Sequence, residues 1–237
     1  MTKLSVNINK IATIRNARGG NTPDLVAAAV KIEAFGGEGI TVHPRPDERH
    51  IRFQDVYDLK KVVKTELNVE GYPSREWLDL VISVKADQAT LVPDAPEAIT
   101  SSSGWDTINH KSMLAEVIAE LNAHGIRTSI FTSTDSALIE GAKLVGSNRI
   151  ELYTEPYAAD FLKDRKSARN PFVLASEYAA SIGLGVNAGH DLSLQNLEYF
   201  ADGLPALDEV SIGHALISDA LYFGLENTIQ MYLSKLK

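Results

Sequence analysis

The chain has 237 residues, 44% of them hydrophobic and 23% charged, which is enough for a sizeable core and ordinary for a globular protein. A net charge of −8 sets the bulk surface against nucleic acid and anionic membranes, so an anionic ligand must be captured by a local cluster of positive groups. The absence of cysteine excludes disulfides, thiolate metal sites and a cysteine nucleophile. No apolar run approaches membrane-spanning length, and the opening MTKLSVNINK has no signal-peptide pattern, so a cytoplasmic location is expected.

In chain order, short β-type segments occur at KLSVNIN (3–9), GITVHP (39–44), LNVEG (67–71), QATLVPD (88–94), RTSIFTS (127–133), RIELYTE (149–155), GLGVNAG (183–189) and EVSIGHA (209–215). Between them, DLVAAAVKIEAFG, SREWLDLVISVK, HKSMLAEVIAELNAHG and DSALIEGAKLVG space apolar residues at three and four, and three of the four close on glycine. Eight strand–helix units predict an α/β fold, a closed (β/α)8 TIM barrel. The rival doubly wound sheet needs a glycine-rich first turn, which NINKIATIRNARGG is not. No linker or shift in composition interrupts the rhythm, so one domain over 1–237 is expected.

Barrel chemistry gathers where strands end. The first segment offers Asn7 and Asn9, then Lys10, Arg15 and Arg18; the second gives His43, Arg45 and His50. Glu70 ends the third, Thr100 lies in the loop after the fourth, and Glu151 sits in the sixth. The seventh runs through Asn187 into Gly189, His190 and Asp191, and the eighth into Gly213 and His214. Singly, each has a plain structural reading as a paired or surface group. Together they concentrate: three of the six histidines, His43, His190 and His214, fall at expected strand ends.

In GITVHPRPDERHI, Pro44 and Pro46 restrict the backbone just past His43 and keep a helix from starting early. Arg45 and His50 are thereby expected to point a guanidinium and an imidazole at an anion. Phosphate is the expected anion, because the loops after the seventh and eighth strands, NAGHDLSLQN and IGHALISDA, have the glycines and helix starts of a barrel phosphate site. The long segment 93–111 reads as a mobile cover bearing Trp105. No histidine pair has metal-ligand spacing, and no dinucleotide or Walker loop is present, so neither metal nor cofactor is expected.

VNINKIATIRNARGG, GITVHPRPDERHI, NVEGYPS, LVPD, IELYTEPYA, VNAGHDL and VSIGHALISDAL together resemble the pyridoxine 5′-phosphate synthase family, in order along the whole chain. The resemblance implies a barrel with a few extra helices, assembled as a homo-octamer. It also implies condensation of 3-amino-2-oxopropyl phosphate with 1-deoxy-D-xylulose 5-phosphate, without a cofactor. By motif position, His43 and Glu70 would be general bases, His190 the general acid, and Glu151 a support for transition-state charge. Asn7, Arg18, His190, Gly213 and His214 would face the amino-ketone phosphate, and Asn9, Lys10, Arg45, His50 and Thr100 the deoxyxylulose phosphate; Asp191 also counts among the substrate-binding residues. Relatives often have Asp-His at 9 and 10, glycine at 191, and His and Gly at 153 and 155; this chain has Asn9, Lys10, Asp191, Tyr153 and Glu155. The Asp191 carboxylate is expected to turn outward or to pair with a base. Two other readings stay open: an aldolase or isomerase acting on another sugar phosphate through Lys10, and a non-catalytic barrel that binds pyridoxine 5′-phosphate.

Overall fold

The computed structural model describes residues 1–93 and 103–237. Eight parallel strands close into a barrel in sequence order: β1 Lys3–Asn7, β2 Gly39–Val42, β3 Leu67–Gly71, β4 Gln88–Leu91, β5 Arg127–Thr132, β6 Arg149–Leu152, β7 Gly185–Gly189 and β8 Leu207–Ile212. β1 pairs with both β2 and β8, which completes the ring.

Ten helices lie among the described residues. They are α1 Asn9–Asn16, α2 Leu25–Ala34, α3 Phe53–Lys60, α4 Arg75–Val84, α5 Lys111–Ala123, α6 Ser136–Leu144, α7 Glu155–Ser181, α8 Leu197–Asp202, α9 His214–Phe223 and α10 Leu225–Ser234. α2, α4, α5 and α6 coincide with the four segments marked by their spacing. Three of these have side-chain caps: Asp24, Ser74 and Asp135 accept from the N–H groups of Ala27, Trp77 and Ala137. The first strand is shorter than expected. It ends at Asn7, whose Oδ1 accepts the N–H of Asn9 at 3.0 Å, so Asn9 and Lys10 open a helix instead of closing a strand. α7 breaks at Asp164 (φ −152°, ψ 92°), where the carboxylate accepts the N–H groups of Lys166 and Ser167 and starts the second half.

Alternation along each strand sorts the barrel into two environments. One set, including Leu4, Val6, Ile40, Val42, Leu67, Val69, Ile130, Ile150 and Ile212, joins the helices in one continuous apolar core. Each such side chain, fully buried, contributes about 1.5–3 kcal/mol. The other set is polar and faces the barrel's interior. Ser5 and Thr41 hydroxyls lie 2.7 Å apart, Asn68 bonds both Thr41 and Thr90, and Gln88 of β4 reaches across to Asn187 of β7 and Glu209 of β8. At the N-terminal floor, Arg127 pairs with Glu66 at 2.5 Å, and Arg149 contacts Asn187 at 2.9 Å and Glu209 at 3.4 Å.

Trp105 departs from the expected cover. It is 2% exposed, packs against Tyr72 and His110 at 5.8 and 5.4 Å, and donates its backbone N–H to the Phe131 carbonyl. The ring is therefore core, fixed to β5. The rest of the expected cover from 94 to 102, with Thr100, lies outside the described residues.

Candidate active site

The C-terminal strand ends surround a cavity of about 510 Å³. Asn7, the last residue of β1, divides its amide: Oδ1 holds the start of α1, and Nδ2 donates to Glu70 Oε2 at 3.3 Å. Glu70, near the end of β3, lies 3.7 Å from Nδ1 of His43, the residue after β2. The backbone of His43 is fastened in turn, its N–H donating to Asn9 Oδ1 at 3.0 Å. The two asparagines thus set the positions of an imidazole and a carboxylate, and His43 is only 7% exposed.

The excursion from His43 to Ile51 closes on itself through a bridge between Pro44 and Ile51. It is also clamped from below by a residue that the sequence offers only as one more positive group beyond the first strand. Arg15 of α1 is 2% exposed, forks onto Asp55 at 2.7 and 2.8 Å, and donates to the His50 carbonyl at 3.0 Å. Asn16 Nδ2 donates to the same carbonyl at 2.8 Å. Only proximity in the fold identifies this clamp, since its partners stand some forty positions apart.

His50 enters this wall as a neutral group. Burial first, then the positive charges of His43, Arg45, Lys10 and Arg49, push its imidazole down to about 4. At neutral pH it is uncharged, and since Nδ1 accepts the Ile51 N–H at 2.9 Å, the proton sits on Nε2. Arg45, 5% exposed, and Lys10 supply the positive charge on this side of the cavity.

Opposite, Glu151 of β6 is 4% exposed, and its Oε2 has no hydrogen-bond partner among the described residues. Burial, reinforced by the charge of Glu70, pushes its carboxyl up to about 8, with His190 acting the other way. β7 delivers His190 through Gly189, where an added Cβ would collide with the Ser211 carbonyl oxygen. Asp191 has its carboxylate 2.9 Å from His190 Nδ1, so of the two expectations for it, pairing with a base is the one realised. Thr154 stabilises this turn by donating to the Gly189 carbonyl and accepting the Asp191 N–H.

Gly213 and His214 stand at the start of α9, a ten-residue helix whose first N–H groups are open to an anion. Ser211 and Ala215 also line the cavity; both flank the glycine-histidine pair, and nothing in their residue type marked them. Arg18 is exposed beyond α1 and does not line the cavity, and Thr100 lies outside the described residues. Among the described residues, no three potential metal ligands are gathered as an ion would require. No described helix is long and apolar enough to cross a membrane.

A closed parallel barrel whose mouth holds an imidazole–carboxylate pair, a carboxyl kept neutral and a second imidazole defines a barrel enzyme built for acid–base chemistry. Comparison narrows this class. A model of the family described as pyridoxal phosphate biosynthesis protein PdxJ matches residues 4–237, and the chain belongs to that family. It is 61% identical to the pyridoxine 5′-phosphate synthase of Cytophaga hutchinsonii and 62% identical to that of Christiangramia forsetii, each alignment covering 100% of both chains. Among solved structures it is similar in fold to N-(5′-phosphoribosyl)anthranilate isomerase from Pyrococcus furiosus. That match has a TM-score of 0.63 at 10% identity and covers 100% of this chain and 98% of the other. The corresponding Thermotoga maritima isomerase gives 0.60 at 13% identity, with the same coverage. At such identities only the barrel is shared.

Proposed function

We propose that this chain closes a pyridine ring, condensing 3-amino-2-oxopropyl phosphate with 1-deoxy-D-xylulose 5-phosphate to give pyridoxine 5′-phosphate, inorganic phosphate and water. The observation that carries this reading is the convergence of His43, Glu70, Glu151 and His190 on one cavity flanked by Arg45, Lys10 and the start of α9. The name borne by full-length relatives supports it.

The amine arrives on a substrate, so an imine forms without an enzyme lysine. What remains is dehydration, enolisation, phosphate loss, ring closure and aromatisation, which are proton movements around one cavity. His43, set against Glu70, withdraws protons. Glu151, held neutral by burial at pH 7, can give up a proton and then, as the carboxylate, steady positive charge as it develops. His190 returns protons as the general acid. Gly213 and the α9 N–H groups, with Asn7 and His214, hold the amino-ketone phosphate. Arg45 and Lys10 hold the deoxyxylulose phosphate by charge, with Asn9 and the His50 Nε2–H as neutral partners. Roles for Arg18 and Thr100 rest on resemblance alone.

The same reading takes residues 1–237 as one domain, located in the cytoplasm and assembled as a homo-octamer. Exposed Leu221 and Tyr222, 71% and 85% accessible on α9, are consistent with burial between copies. Sedimentation would test the assembly. For the activity, purified protein is mixed with both substrates while product and phosphate are followed together. Equimolar release is expected; product binding without turnover would overturn it.

A further inference from the structure

The turn after β7 holds a charged group without an assigned catalytic role that nevertheless bears directly on one that has it. The Asp191 carboxylate lies 2.9 Å from His190 Nδ1 although the two residues are adjacent. His190 has φ of 50°, in the left-handed region that a side-chain-bearing residue occupies only at a cost of about 1 kcal/mol or more. The turn is pinned on several sides. His190 donates its N–H to the Ser211 carbonyl at 3.2 Å, and the Asp191 N–H meets the Gly189 carbonyl at 2.7 Å and Thr154 Oγ1 at 3.2 Å. Asn196 Nδ2 donates to the Asp191 carbonyl at 3.2 Å. Every one of these bonds uses backbone atoms of 190 and 191 and leaves their side chains to each other and to the cavity.

We propose that Asp191 is the positioning residue for His190: its carboxylate fixes the proton on Nδ1 and presents Nε2 as the nitrogen that exchanges protons with bound substrate. This rests on the reading of His190 as general acid. The same contact extends the pH range of that acid. Glu70 from β3 and Glu151 from β6 face the imidazole with Asp191, while Lys10, His43, Arg45, His50 and His214 line the same cavity from α1, the β2 loop and α9. The hydrogen bond to Asp191 leads the groups that hold His190 above its ordinary range, against the effect of burial. An imidazolium stabilised this way survives to higher pH, so activity on the alkaline side depends on Asp191.

The test compares the full-length protein with Asp191→Asn and Asp191→Ala. Both variants keep the backbone bonds of the turn, so folding is not at stake; circular dichroism checks this. His190 is titrated by NMR, its signal assigned as the one lost in His190→Gln, and kcat and KM are measured across pH. The expected result is a His190 titration moved to lower pH in both variants, with the alkaline limb of kcat moving alongside it. Turnover at pH 8 should fall about tenfold in Asp191→Ala with KM nearly unchanged. An unmoved titration, or a moved titration with an unmoved alkaline limb, overturns the proposal. Wild-type turnover in His190→Gln would instead sink the acid assignment, a separate outcome read from a separate variant.

Discussion

The two ends of the barrel use the same residue types to opposite effect. At the floor, Glu66 and Glu209 meet Arg127 and Arg149 at 2.5 and 3.4 Å, and Gln88 and Asn187 connect them. At the mouth, Glu70 meets an imidazole and an amide, and Glu151 Oε2 meets no hydrogen-bond donor among the described residues. A carboxyl group held by guanidinium is tied in place whatever its protonation. A carboxylate against imidazole, or against nothing, can change its protonation near pH 7. The contrast shows that burial alone does not make a catalyst. Glu151 and Glu209 are both pushed up to about 8, but only Glu151 faces the cavity.

Substitutions at the two ends should therefore fail differently. At the mouth, His43→Ala should lower kcat by roughly a hundredfold or more with little change in unfolding midpoint. Retained turnover would remove His43 from the chemistry. At the floor, Arg149→Ala should cost about 2 kcal/mol of stability, because Asn187 and Glu209 lose a charged donor. Denaturant titration reads this; a stability loss as large in His43→Ala would erase the contrast. Arg45→Ala should raise KM for the deoxyxylulose phosphate by about tenfold, as loss of one charge-assisted contact implies, while kcat changes less. An unchanged KM in steady-state kinetics would argue against an anchoring role.

A further comparison concerns pH. The Glu209 carboxyl moves from 4.5 to about 8 on folding, so over that window the folded chain holds a proton the unfolded chain has released. Stability is then greatest below about 4.5 on this account and declines as pH rises to about 8. Glu209→Gln should flatten this decline in thermal midpoints between pH 5 and 8 without changing turnover. Glu151→Gln should flatten it as well, but with loss of activity. Equal behaviour of the two variants in the assay would erase the distinction between floor and mouth.

Much of this architecture is legible in the chain. Alternation in LNVEG or GITVH separates lumen from core, and glycine after an apolar helix marks the return to a strand. His43, Glu70, Glu151 and His190 stand out because a barrel exposes its strand ends and little else at one face. What escaped reading has a common cause. Arg15 finds Asp55 forty residues away, and no local period encodes such a pair. His50 is histidine in the sequence and a neutral donor in the fold, because desolvation and neighbouring cations are tertiary facts. Trp105 sits among loop-forming residues, but its ring is claimed by Tyr72 and His110. The long α7 hides behind Pro171 and the break at Asp164.

The clamp on the segment from His43 to Ile51 has a dynamic consequence. Surface loops ordinarily open far below the global unfolding energy, and their amides exchange with solvent accordingly. Here the His50 carbonyl is held by Arg15 and Asn16, and the Arg15–Asp55 pair beneath it is sheltered from water and from salt. The amides of His43 and Ile51, at the two ends of the loop, should exchange almost as slowly as those of the strands, while those of the exposed tip from Asp47 to Arg49 exchange fast.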